Sequence, residues 1–473
     1  MRALDGATRA GHDGDSVDGR GPAITIQDDS ASGLPGLTEL MRDEQVFPTR
    51  RTRADSAIRR RRRRKAWIIV AIVVAVVLGS AGGYAAWALN APLPEPTVEW
   101  QTPDVSVPPA ATIALPVEGS AAISVAGADD YLGAEASGIW MTSGSADPRP
   151  MASISKLITA LVILDAKPLA GPDDPGPTIA FDETDRDLFD EYYVLGATVA
   201  EMPRGTSMSL HDALATILIP SASNYAEAVS TWAFGSQGAF VSAARRWLEA
   251  NGLTGTTIVE PTGLSPRNTS TPSDMIAIGK IAAANPVIAQ IAATASLTLP
   301  GPGTMSNTNG LLGTSGITGL KTGTLGENDY TLLYTAILDI GTDLPLSVTG
   351  VVLGGFSRES VSNGVVNLLD SIRAGFHSVP LIGRGDRVGT YSTAWGSAGQ
   401  MIVTGSASIR TWSDTPIKVT MDTSTPQNYA DGESVGTITW SAGPNTATVD
   451  VTLDGGIAQP SAWWRLTHPG ELG

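Results

Sequence analysis

Arg149-Pro-Met-Ala-Ser-Ile-Ser-Lys156 runs straight into Leu157-Ile-Thr-Ala-Leu-Val-Ile-Leu164, a stretch that would be apolar on nearly every side of a helix. A helix without a polar face belongs in a protein interior, so these residues predict a buried core helix with Ser153 and Lys156 at its start. Three positions apart, their side chains share one helical face. Two further short motifs come later in the chain. Ser221-Ala-Ser223-Asn224 ends a second apolar stretch, and Lys321-Thr-Gly-Thr324 leads into a β-rich run. Lysine is scarce, which gives the order weight: the chain has only Lys65, Lys156, Lys167, Lys280, Lys321 and Lys418, and two of the six lie in motifs.

Around these motifs the pattern alternates between helix and strand signals. Ile123 to Gly138 reads as one or two short strands with a turn at Ala128 to Asp130. Ser209-Leu-His-Asp212 has the form of a helix N-cap with an acidic third residue, and Thr271-Pro272-Ser-Asp274 places proline at the first helical position. Tyr330 to Ile340 and Leu346 to Leu353 are β-rich runs expected to pair as neighbours. Val365 to Phe376 reads as a closing helix. The composite is α+β, an antiparallel sheet covered by helices, with a helical insertion between the first and last motifs.

The chemistry starts from a deficiency of the serine hydroxyl. It is a weak nucleophile at neutral pH and needs a base within hydrogen-bond reach. Burial in an apolar helix lowers a lysine pKa by desolvation, and a second cation lowers it further. Lys321 is the candidate for that cation. A serine at a helix start also lies beside free backbone N–H groups and the positive end of the helix dipole, which suits a developing oxyanion. Together the motifs read as a Ser-Lys acyl-transfer site.

The same motifs resemble those of the serine penicillin-binding proteins and β-lactamases, and most closely the low-molecular-mass D-alanyl-D-alanine carboxypeptidases. Besides the three motifs, Glu260-Pro-Thr-Gly-Leu264 with Ser270-Thr-Pro-Ser-Asp274, and Asn307-Thr-Asn-Gly-Leu-Leu312 ahead of Gly319-Leu-Lys-Thr-Gly323, look like stretches of that family. The resemblance covers about Ala110 to Phe376. It implies a β-lactamase/DD-peptidase-like fold and removal of the terminal D-alanine from peptidoglycan stem peptides ending in D-Ala-D-Ala, with β-lactams as inhibitors and no cofactor. By motif position, Ser153 would be the acylated nucleophile, Lys156 its proton acceptor, and Ser221 a relay toward the leaving amine. Lys321, Thr322 and Thr324 would bind the terminal carboxylate, and Gly323 would let the substrate approach without a Cβ clash. The oxyanion hole would be the backbone N–H groups of Ser153 and Thr324.

One departure stands out. The family's middle motif is usually Ser-x-Asn, whereas here Ser223 takes the third place and the asparagine is displaced to Asn224. A hydroxyl is shorter than an amide and cannot bond at the same two points. An alternative register would make Asn224 the functional residue and put Ala222 in the first serine's place. A β-lactamase-like hydrolase remains open as an alternative, with Glu183, Asp185, Asp187 or Glu191 activating water. So does a non-catalytic wall-binding relative.

Composition excludes other chemistries. With no cysteine and only four scattered histidines among 473 residues, thiol nucleophiles, thiolate metal sites and His-rich metal motifs are absent from the sequence. No metal site is expected. The N-terminal part carries a different message. Arg59 to Lys65 is a seven-residue basic block, followed by 24 uncharged residues, Ala66 to Leu89, with Trp67 and Trp87 near the two ends. At 1.5 Å rise these residues reach about 36 Å, enough to span a bilayer core. The first 65 residues hold 14 basic and 10 acidic side chains, leaving 17 basic and 37 acidic in the rest. The positive side stays in the cytoplasm, and so acidic an outer part does not suit nucleic acid.

The resulting expectation is a disordered cytoplasmic tail with the basic block over 1–65, a transmembrane helix over 66–89 and a Pro-rich linker over 90–109 that lifts the next domain away from the bilayer. A catalytic domain over 110–378 and a small β-rich C-terminal domain over 379–473 complete it. The cell membrane is the expected location, with a single pass and the catalytic part outside. Trp463 and Trp464 are expected to pack into a core or to touch membrane or wall.

Overall fold

The computed structural model describes residues 53–473 apart from residue 343. Most of the expected tail, 1–52, lies outside the described residues. The chain divides after Gly83 into two compact units. The described part of the first is helical, within the helix Arg53–Asn90. Arg59 to Lys65, read as the end of a disordered tail, are thus already part of that helix. Over Ile58–Asn90 it is long and apolar enough to cross a membrane, and the large side chains from Trp67 to Leu78 are exposed, as a lipid-facing helix requires.

The second unit is organised by a five-stranded antiparallel sheet in the order Ile317–Thr324, Tyr330–Leu338, Leu346–Gly355, Ser120–Ala126, Met141–Ser143. Alternation along each strand sends side chains to opposite faces. Ala122, Leu320, Leu333 and Val351 enter a core shared with the helices Ser155–Ala166, Leu210–Leu218, Ser223–Phe234 and Pro272–Ala284. Ala121, Ile123, Leu332, Tyr334 and Val352 join Val361, Val365, Leu368 and Leu369 of the helix Arg358–Ala374 on the other face. The strand Ile317–Thr324 is an edge strand, with no strand on its other side among the described residues.

Local signals act where the sequence places them. Ser209 Oγ accepts the Asp212 N–H and Thr271 Oγ1 accepts the Asp274 N–H, each capping its helix. Every residue from Ser155 to Leu164 is buried. The second half of Ile123 to Gly138 differs from expectation. After the strand ending at Ala126, the acidic pair Asp129 and Asp130 starts a single helical turn, Asp129–Leu132, and Asp129 accepts the Ser137 N–H at 2.9 Å.

The proline-rich stretch also departs from the linker reading. Thr97–Trp100 pairs antiparallel with Arg387–Ser392 and forms the edge of a six-stranded sheet completed by Ala398–Val403, Asn445–Asp454, Ser434–Ala442 and Lys418–Thr423. The strand Phe376–Ile382 straddles the expected boundary at residue 378 and pairs with Ala407–Trp412. Inside this β-rich region lies a third core that includes Val388, Met401, Ile438, Trp440 and Val451. Trp440 is fully buried, so Trp440→Ala is expected to destabilise the region by about 3–5 kcal/mol, read as a fall in its thermal unfolding midpoint.

Candidate active site

The nucleophile candidate sits at a strained turn. The strand Arg149–Pro150, paired with Thr269–Ser270, delivers the chain into a 3-10 turn, Ala152–Ile154, that continues into the helix Ser155–Ala166. Ala152 has φ +46°, a conformation costing a residue with a Cβ about 1–3 kcal/mol. Two glycines press on this turn. A Cβ at Gly263, itself at φ +82°, would run into the Ala152 carbonyl, and one at Gly323 would come 2.9 Å from Ala152 Cβ and 3.0 Å from Ser153 N. Only bare backbone fits on either side of Ser153.

Lys156 Nζ lies 3.2 Å from Ser153 Oγ and donates to the Thr262 carbonyl at 2.6 Å. Its side chain is 1% exposed. Burial pushes its pKa down to about 7, against a smaller opposing pull from Glu260. A neutral amine in this position can give one hydrogen to the Thr262 carbonyl while its lone pair faces the serine hydroxyl.

The Thr262 carbonyl is itself held in place. The Glu260 carboxylate accepts the N–H groups of Thr262 at 2.6 Å, Gly263 at 2.7 Å and Ser265 at 3.2 Å, together with Thr262 Oγ1 at 2.6 Å and Asn268 Nδ2 at 2.9 Å. Asn268 Nδ2 also donates to Ser155 Oγ at 3.1 Å, and Thr159 Oγ1 to the Pro261 carbonyl at 2.8 Å. This loop is thereby fastened to the helix bearing Lys156. Glu260→Ala would strip partners from donors that cost about 1–3 kcal/mol each when buried and unpaired. A lower melting temperature and slower acylation of Ser153 are expected together, because the Thr262 carbonyl loses its seat.

Lys321 is equally buried, at 1% exposure. Desolvation, then the nearby charges of Lys156 and Arg358, hold its pKa well below the usual lysine range. Its Nζ lies 3.2 Å from the Thr322 carbonyl and 3.5 Å from Thr308 Oγ1, and Thr322 Oγ1 donates to Thr308 Oγ1 at 2.7 Å. Arg358 Nη1 donates to the Thr308 carbonyl at 3.1 Å. Thr308 also reaches the segment just before the middle motif, donating its N–H to the Ile219 carbonyl at 3.1 Å. Thr324 is exposed at the end of the edge strand.

Ser221 follows the helix Leu210–Leu218 at φ +70°. Its hydroxyl is buried without a hydrogen-bond partner among the described residues. Ser223 is buried at the start of the next helix, its N–H on the Thr198 carbonyl at 2.8 Å. Asn224 has both ends of its amide on Ala200, accepting that residue's N–H at 3.1 Å and donating to its carbonyl at 2.9 Å. The amide is committed to the backbone, so the register that makes Asn224 the working residue gains no support from its contacts.

Two of the carboxylates considered for water activation are engaged elsewhere. Glu183 pairs with Arg204 at 2.7 Å, and Asp185 closes a capping box with Asp182. A cavity of about 370 Å³ borders Thr322, Gly323 and Thr324, with Thr308, Tyr330 and Arg358 on its other walls. Glu260, Gly263, Thr308 and Arg358 were not singled out as site residues from sequence. The first three lie in stretches quoted for their resemblance, while Arg358 had no motif around it.

Comparison with known proteins bears on the same region. Residues 133–356 match the family described as D-alanyl-D-alanine carboxypeptidase. A D-alanyl-D-alanine endopeptidase of Pseudomonas aeruginosa is 34% identical over 152 residues, covering 32% of this chain and 45% of that protein. One of Escherichia coli is 30% identical over 146 residues, covering 31% and 44%. The chain thus spans under half the length of these curated relatives. Among solved structures, penicillin binding protein 5 from Haemophilus influenzae matches at 17% identity and TM-score 0.47, covering 74% of this chain and 98% of that one. The Streptomyces K15 DD-transpeptidase matches at 22% identity and TM-score 0.46, covering 54% and 97%. The family match thus covers the part of the chain that holds Ser153, Lys156, Ser221 and Lys321.

Proposed function

We propose that this protein is a membrane-anchored serine D-Ala-D-Ala carboxypeptidase that removes the terminal D-alanine from peptidoglycan stem peptides outside the cell. The observation that carries the reading is the buried amine of Lys156, its pKa near 7, lying 3.2 Å from Ser153 Oγ. Ser153 Oγ attacks the carbonyl carbon of the penultimate D-alanine while its proton passes to Lys156 Nζ. Backbone N–H groups of Ser153 and Thr324 hold the oxyanion. The C–N bond then breaks, the departing amine of D-alanine takes a proton relayed through Ser221, and an ester remains on Ser153. Water hydrolyses that ester and restores the hydroxyl.

Lys321, Thr322, Thr324 and Arg358 would receive the substrate's free carboxylate, for which cations and hydroxyls are suited. The unpaired side of the strand Ile317–Thr324 is open to an extended peptide. A β-lactam would enter the same acylation step and leave the serine blocked. The helix over Ile58–Asn90 would be the anchor, with Arg59 to Lys65 on the cytoplasmic side.

The names of the curated relatives favour a second reading, cleavage of D-alanyl cross-links inside a peptide. Incubation with a stem pentapeptide and with a cross-linked muropeptide dimer separates the two. Release of one D-alanine from the pentapeptide, lost in Ser153→Ala, is the expected result. Cleavage of the dimer with the pentapeptide untouched would transfer the assignment to endopeptidase, and turnover of both substrates by Ser153→Ala would overturn the mechanism.

A further inference from the structure

Adjacent tyrosines at the end of the helix Glu183–Val194 have opposite surroundings. Tyr193 is exposed, with Val194 and Leu195 after it, whereas Tyr192 is partly buried and its phenol donates to the Glu227 carboxylate. Glu227 belongs to the helix Ser223–Phe234, which starts in the middle motif. Four positions apart, Ser223 and Glu227 share one face of it. The segment after Tyr192 runs back along the same helix, where the carbonyls of Thr198 and Glu201 accept the Ser223 N–H at 2.8 Å and Tyr225 Oη at 2.9 Å.

On its other side the phenol lies beside Thr262, within reach of the Glu260 charge. These are the residues that seat the carbonyl for Lys156 Nζ. Their loop is fastened to the lysine helix through Asn268 and Ser155. Among the described residues no hydrogen bond joins that loop directly to the helix Ser223–Phe234, so the phenol stands at the junction of the two. Burial, and then the hydrogen bond to Glu227, hold the phenol pKa above its usual range. The proton therefore stays on the oxygen through the neutral range, and the bond to Glu227 keeps its donor.

We infer that Tyr192 is a positioning residue for acyl transfer, its phenol bracing the loop that seats Lys156 against the helix that begins with Ser223. The inference rests on the Ser153–Lys156 reading above. Tyr192 acts through Thr262 and Glu227 and not on the reacting atoms. The brace fixes how the proton acceptor on one side of the site meets Ser221 on the other, an alignment that must hold while one proton is taken up and another handed on.

Labelling of the full chain with saturating fluorescent penicillin gives the acylation rate constant per active site and its pH dependence. Tyr192→Phe keeps the ring and removes the oxygen. Its rate constant is expected to fall about tenfold, the equivalent of one hydrogen bond, with the preceding binding of penicillin unchanged. The charged groups facing Lys156 are Glu260 of the loop and Lys321 of the edge strand, and neither is altered by the substitution. A looser Thr262 carbonyl gives less to the ammonium form, so the midpoint of the acid limb is expected to move below its value near 7. Glu227→Gln still offers the phenol an oxygen acceptor and should keep both readouts close to wild type, whereas Glu227→Leu should reproduce Tyr192→Phe. Should Tyr192→Phe fail to fold, the contrast between the two Glu227 variants decides alone. A lower melting temperature with unchanged rate constant and midpoint overturns the inference, because packing then accounts for the bond. So does a Glu227→Gln protein as impaired as Glu227→Leu, which would assign the effect to the carboxylate's charge. If the wild-type protein does not label at Ser153, the acyl-transfer reading itself falls, and the brace with it.

Discussion

Lys156→Met is expected to slow acylation of Ser153 by a fluorescent penicillin by about 10²–10⁴-fold, the range lost with a positioned general base. Methionine fills the buried channel without a proton acceptor, so the fold should survive. Lys156 is 1% exposed among apolar neighbours, and removing a buried amine removes a desolvation cost with it. A stable, acylation-dead protein is therefore the expected result. Wild-type acylation rates in Lys156→Met would show that some other group takes the serine proton.

Gly323→Val should be comparably damaging for a different reason. A Cβ there meets Thr331 Oγ1, which belongs to the paired strand, and approaches Ala152 Cβ and Ser153 N. Neither neighbour can yield cheaply, because one is fixed by the sheet register and the other is the strained turn itself. The edge strand must move away from Ser153, and a displacement of about 1 Å at a reacting centre costs about 10²-fold in rate. The expected outcome is strongly reduced penicillin labelling with near-normal far-ultraviolet circular dichroism. Full labelling would mean that the strand is not the wall against which the acyl group is held.

The difference between what the sequence disclosed and what it hid has physical causes. The apolar run from Leu157 to Leu164 and the i, i+3 spacing of Ser153 and Lys156 express themselves within one or two helical turns, so both could be read directly. Ser209 and Thr271 as caps are local in the same way. Glu260 could not be valued from sequence, since its importance lies in folding its own loop back on itself so that one carbonyl meets Lys156 Nζ. Arg358 is 37 residues beyond Lys321 in the chain and reaches the site from another element, through the Thr308 carbonyl and the cavity wall. Ser221's positive φ and unpaired hydroxyl are properties of a backbone turn that no residue type announces. Thr97–Trp100 has a partner almost 300 residues away, and its flanking prolines, tolerated at an edge strand, resemble those of a spacer. Trp463 and Trp464 are adjacent yet have opposite surroundings, which a pair of letters cannot convey.

The most direct test is the pH dependence of the acylation rate constant at Ser153. With Lys156 required as the neutral amine and its pKa brought to about 7 by burial, protonation below that value removes the base. The logarithm of the rate should climb with unit slope through the acid range and level off above about pH 7. A rate that stays level down to pH 5, or one that goes on rising toward the ordinary lysine range near pH 10, would contradict the account.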